Sequence, residues 1–174
     1  MLSTAALLTA LIAATLWKAG EPYGRHWAAL AVLFTGFSID EGAQIHDSTG
    51  GAPLRDALGT SGLLYYAWVI PALISALVVG LVFARFLFAL PPPTRNYLIL
   101  SAAIFMAGAI GAEMVSGWYE EQHPGPTLDY ATLSSFEEFL EMYGVILLIA
   151  GLLDYAASKI GHTEIIWEPN DSSP

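Results

Sequence analysis

Long apolar stretches alternate with short polar ones along the chain, and the lengths of the apolar stretches decide its class. Residues 2–17, LSTAALLTALIAATLW, come close to the about 20 residues a helix needs to cross a bilayer. The linker KAGEPYGRH, with Pro22 between Gly20 and Gly24, predicts a turn. A second helix is expected from about Trp27 through AALAVLFTGF into the polar segment SIDEGAQIHD, residues 38–47. A third, from about Gly62 to Leu90, is the cleanest apolar run, with a kink expected at Pro71 and a stop at Pro91, Pro92 and Pro93. A fourth spans about Asn96 to Trp118. A fifth begins near Ala131 with FEEFLEM, where Thr132 or Ser134 is the candidate cap. Residues 47–60 and 119–130 read as loops, and the polar tail 161–174 reads as extended chain.

The expected fold is therefore all-α: a polytopic membrane helix bundle of five spans over residues 1–160, followed by the tail 161–174. Composition agrees, since 55% of residues are hydrophobic and 13% charged, where soluble domains carry about 25% charged residues. Lys18 and Arg25 in the first linker, Arg85 and Arg95 around the triple proline, and Lys159 after the last span fall on one side. Only Arg55 falls on the other. The positive-inside rule then puts the N-terminus out and the C-terminus in. A cleaved signal peptide is the competing reading of the first apolar run, but Met1 is followed by no positive segment.

The chain has no cysteine, which excludes disulfides, thiolate nucleophiles and thiolate metal sites and leaves oxygen and imidazole as the available ligands. A net charge of -10 with six Lys and Arg excludes nucleic acid as a partner bound through a basic patch. Membrane lipids are the expected surroundings, with other membrane subunits as possible neighbours.

Acids at the ends of apolar helices are the candidate chemistry, because a charge placed in hydrocarbon costs about 2.5 to 3.5 kcal/mol on insertion scales. At about 1.5 Å rise per residue, Glu41, Glu113 and Glu138 all fall in the outer third of the membrane. At about 100° per residue, Glu137, Glu138 and Glu141 share one arc of the last helix, and Asp40, Glu41, Gln44 and Asp47 share one face of the second. His46 joins that face only if a π-turn around Gly42 realigns it. Crowded carboxylates in low dielectric need protons or a metal, and the expected ligand set is Asp40, Glu41, His46, Glu113, Glu137, Glu138 and Glu141.

These segments resemble a group of bacterial multipass membrane proteins with a Ser-[Leu/Ile]-Asp-Glu segment, a following His-[Glu/Asp], and a late Glu-Glu-x-x-Glu. Here those are Ser38-Ile39-Asp40-Glu41, His46-Asp47 and Glu137 to Glu141. The likeness implies a bacterial cytoplasmic membrane and no particular activity. The acid pattern also resembles the carboxylate dimetal sites of ferritin-like bundles, although no Glu-x-x-His occurs. That likeness implies iron or manganese and an oxidoreductase. The competing function is a small accessory subunit of a respiratory or photosynthetic membrane complex. Tyr65, Tyr66 and Trp68 read first as an interfacial aromatic belt and second as redox or hydrogen-bonding partners at the same outer depth. Gly108, Gly111 and Gly117 read as close helix contacts.

Overall fold

The computed structural model describes residues 1–18, 20, 22–43, 45 and 52–160, and among these every regular element is helical. Helix α1 (Leu2–Lys18) and α2 (Gly24–Ala43) form an antiparallel hairpin, closed at its far end by the hydroxyls of Ser3 and Ser38 at 2.6 Å. A short helix α3 (Ala52–Leu58) and a 3-10 turn (Gly62–Leu64) lead into α4 (Val69–Ala89). Helix α5 (Pro92–Met106), a π-helical segment (Ala107–Ala112) and α6 (Glu113–Gln122) run on as one rod, and α7 (Leu128–Ile160) returns beside it.

Three helices are long and apolar enough to cross a membrane: Val69–Ala89, the rod Pro92–Gln122, and Leu128–Lys159. The 31 residues of the rod and the 32 of Leu128–Lys159 reach well past an apolar core of about 30 Å at about 1.5 Å per residue. Each is therefore longer than a single crossing requires, by length alone.

Several boundaries differ from expectation, each for a local reason. Residues 62–68 are turns rather than the first part of a helix, and Pro71 falls in the first turn of α4. Its missing N–H has no helical acceptor to lose there, so it starts the helix instead of kinking it. Pro91 ends one helix and, with Pro92 and Pro93 at the first helical positions, begins the next. Helix α7 starts earlier than expected: Thr127, not Thr132 or Ser134, caps it, its Oγ1 accepting the amide of Tyr130 at 3.1 Å. Thr132 and Ser135 instead donate to carbonyls four residues back within the helix. Part of the expected loop after Asp47 is the helix α3.

Glycines set the spacing of the rod and α7. A Cβ on Gly144 would lie 2.8 Å from the amide nitrogen of Phe105, one on Gly151 2.6 Å from Tyr97 Cβ, and one on Gly108 2.9 Å from the carbonyl oxygen of Glu137. Removing the side chain lets backbone meet backbone, which is how helices associate where no hydrophobic effect drives them together. Of the three glycines marked from sequence, Gly108 makes such a contact, Gly117 lies against the ring of Tyr66 rather than a helix backbone, and Gly111 faces open space. At the opposite end of the bundle the core is aromatic. Trp27, fully buried, packs between Phe86 and Tyr155 with ring centroids 5.1 and 4.8 Å away. Leu16, Leu30, Phe83, Leu148 and Leu152 join it.

Candidate functional site

The polar residues gather at the end of the bundle opposite Trp27, where α6 leaves the π-segment and α7 begins. Glu113 is the first residue of α6 and is 9% exposed. Its Oε1 accepts the indole N–H of Trp68 at 3.0 Å. Two turns further out, Glu120 accepts the hydroxyl hydrogen of Tyr66, and the Tyr66 and Tyr130 hydroxyls lie 3.1 Å apart. At the rim, Glu121 Oε2 accepts the amide of Gly62 at 2.6 Å, and Tyr119 donates to Asp129 at 3.2 Å. Glu120, Glu113 and Glu137, from two helices, each bear electrostatically on Tyr130. Burial first, and then the hydrogen bonds to Glu120 and Tyr130, push the Tyr66 phenol above its ordinary range.

Two features of the sequence build this arrangement. Residues 107–112, AGAIGA, are small enough at Ala107, Gly108, Gly111 and Ala112 to take the wider π-turn, which inserts one residue and rotates the helix beyond it. Glu113, Ser116 and Glu120 then share the inner face of α6 at i, i+3 and i+7. Gly117 gives the ring of Tyr66 room to lie against α6, since a Cβ there would sit 2.8 Å from Tyr66 Cδ2. Ser116 is 1% exposed and its Oγ has no hydrogen-bond partner.

The expected ligand residues divide by depth and by face. Glu113 and Glu137 lie near Tyr130. Glu141 is about one turn deeper, its Cγ 3.0 Å from where a Cβ on Gly108 would be. The rings of Phe37 and Phe105 lie 6.4 Å apart, so Asp40, three residues further along α2, falls near the level of Gly108 by helix rise. Glu138 is exposed, off the face that Glu137 and Glu141 share, because consecutive helical residues point about 100° apart. The side chain of Glu41, together with Gln44, His46 and Asp47, lies outside the described residues. Helix α2 runs to Ala43 as regular α-helix, and the π-turn expected near Gly42 occurs before Glu113 instead. Among the described residues, no group of three or more His, Asp or Glu comes together in a way that could hold a metal ion. His123 is exposed at the end of α6, stacked on Tyr119 at 4.6 Å.

The reading of Tyr66 and Trp68 as a plain aromatic belt gives way to the second one: both donate to glutamates. Glu120 and Ser116, which the expected site set left out, face inward with Glu113. The spacing Glu113-x-x-Ser116-x-x-x-Glu120 was the available signal. At the other end of the bundle, Asp154 accepts from Thr94 at 3.3 Å.

No curated protein and no solved structure matches the chain. A family model described as a domain of unknown function, DUF8692, matches residues 1–156, and the chain belongs to that family.

Proposed function

We propose that the protein is an integral membrane protein that binds a transition metal, iron or manganese, at a carboxylate-rich site near its outer face, and that it works as an oxidoreductase. One observation carries this reading: Glu113, buried and held by a neutral indole, shares the surroundings of Tyr130 with Glu120 and Glu137. A carboxylate buried in low dielectric is stabilised by a cation beside it. Oxygen donors in a cysteine-free chain suit iron and manganese. Glu113 and Glu137 form the upper level of the site and Asp40 and Glu141 the lower. Glu41 and His46 are the further ligands this reading takes.

The reading has five spans, with α1 and α2 joining the three long apolar helices, the N-terminus out and the C-terminus in. Packing supports it. Trp27 meets Phe86 and Tyr155, and Thr94 meets Asp154, so Lys18, Arg25, Arg85, Arg95 and Lys159 gather toward one end and Arg55 lies toward the other. Reporters fused to the two termini test this count, and both on one side of the membrane would refute it.

Elemental analysis of the purified protein tests the metal. The expected result is close to stoichiometric iron or manganese, and less than about a tenth of an equivalent removes the proposal, because a site this buried releases its ion slowly. A second reading, a small subunit of a larger membrane complex, is favoured by α4. That helix exposes Leu73, Ile74, Leu77, Val78, Leu81 and Val82 along an apolar face. Migration on a native gel with a larger assembly would support this second reading.

A further inference from the structure

We infer that the turn between α1 and α2 binds one anionic phospholipid, with its phosphate in a pocket beside Arg25 and an acyl chain in the apolar groove between the two helices. The inference rests on the five-span reading above, which sets α1 and α2 in the membrane, and is independent of the metal.

Two hollows meet at this end of the hairpin. The first, of about 440 Å3, is lined by Trp17, Gly20, Tyr23, Gly24, Arg25 and His26. The second, of about 370 Å3, is lined by alanines of α1 and α2, by Val32 and again by Trp17, and it offers almost only carbon. Both volumes fall in the range of about 300 to 1,000 Å3 that small-molecule sites occupy. Trp17 belongs to both, so a polar pocket continues into an apolar groove past a single side chain. An amphiphile matches that change of lining. A soluble anion would leave the groove empty, and a purely apolar ligand would leave the pocket empty. Both hollows are open rather than enclosed, which suits a ligand that arrives from the bilayer.

Charge selects an anionic headgroup. Residues 17–26 carry Lys18 and Arg25 against the single acid Glu21, in a chain whose net charge is -10. Arg25 is exposed and makes no ion pair among the described residues. Its guanidinium is therefore available to a phosphate, which it grips with paired N–H donors. Trp17 is exposed beside it, an indole placed as indoles are at the membrane surface. Tyr23 forms another wall at a φ of 73°, where a bulky residue is strained and a glycine would not be. Its ring, 5.2 Å from His26 and 5.7 Å from Phe86, is what that position retains. In the five-span reading this end of the bundle faces the cytoplasm, whose leaflet holds the anionic lipids.

Native mass spectrometry of the full-length protein in detergent, titrated with phosphatidylglycerol or with phosphatidylcholine, tests this. The expected result is one phosphatidylglycerol held several-fold more tightly than phosphatidylcholine. Arg25→Gln should lower the phosphatidylglycerol affinity about fivefold, the worth of one basic residue against an anionic lipid. Arg55→Gln, toward the other end of the bundle, should leave it unchanged. Ala14→Phe places a larger side chain in the groove from an exposed position and should weaken both lipids, with circular dichroism as the check on folding. Glycerol phosphate, the headgroup chemistry without chains, should not displace the lipid. Displacement by glycerol phosphate together with full affinity in Ala14→Phe would overturn the inference and leave a site for a soluble phosphate ester. Equal affinity of the wild type for the two lipids, or equal phosphatidylglycerol affinity in wild type and Arg25→Gln, would also overturn it. Binding is read in detergent, so its failure leaves the span count standing, and that count is tested separately by the terminal reporters.

Discussion

The two ends of the bundle are held by different physics. At the end near the basic residues, Trp27, Phe86, Leu152 and Tyr155 interlock with almost no exposure, and stability there is dispersion and shape. At the other end, Trp68, Tyr66 and Tyr130 spend their polar atoms on glutamates and on each other, and a serine is left without a partner. The aromatic end also buries polar atoms without partners, the Trp27 indole nitrogen and His26 Nδ1, but among the described residues it gathers no acids around them. The polar end differs in that its aromatic donors are matched to glutamates from α6, which is why the proposed metal site is drawn there.

Trp27→Ala should have the largest effect, a loss of about 3 kcal/mol or more for removing a fully buried aromatic. Unfolding in mixed detergent measures it, and metal content of the folded fraction should stay unchanged. A variant that unfolds normally but loses metal would break the contrast between the ends. Gly144→Val should cost about 1 to 3 kcal/mol by overpacking, because the contact is with the Phe105 backbone, which cannot rotate aside. The same assay reads it.

Tyr66→Phe should cost about 1.5 kcal/mol in stability, the low end for a hydrogen bond to a charged group, yet it should alter the proposed metal site. A change in bound-metal affinity with little change in unfolding is the expected pattern. The smallest effect is on pH dependence. The Tyr66 phenol is raised by burial and by Glu120, so the folded state holds that proton more tightly than the unfolded chain does. The resulting stabilisation is complete below a pH of about 10, the value of a free phenol, and declines as pH rises above it. Wild type should therefore lose stability more steeply than Tyr66→Phe on the alkaline side, and parallel curves would show that the phenol is not the group responsible.

Much of the fold was legible because membrane crossing is a demand on length and polarity, both of which are local. The apolar runs expected from about Gly62, Asn96 and Ala131 declare helices without any knowledge of neighbours, although the helices begin at Val69, Pro92 and Leu128. Glycine contacts were only half legible: Gly108 and Gly117 stand out, but Gly144 and Gly151 become meaningful only opposite Phe105 and Tyr97. The acids were visible as a class, and their grouping was not. Glu138 looked equivalent to Glu137 and Glu141 by arc and proved exposed, because a helix neighbour lies on one side only.

By itself, then, the sequence determined the all-helical class, the apolar spans, the absence of thiol chemistry and the concentration of acids at one end. The tertiary structure decided which acids meet. A π-turn at residues 107–112 rotated Glu113, Ser116 and Glu120 onto one inward face, and the turn before α4 brought Tyr66 and Trp68 to them. A single inserted residue changes the phase of everything after it, and hydropathy, which averages over a window, does not register that change.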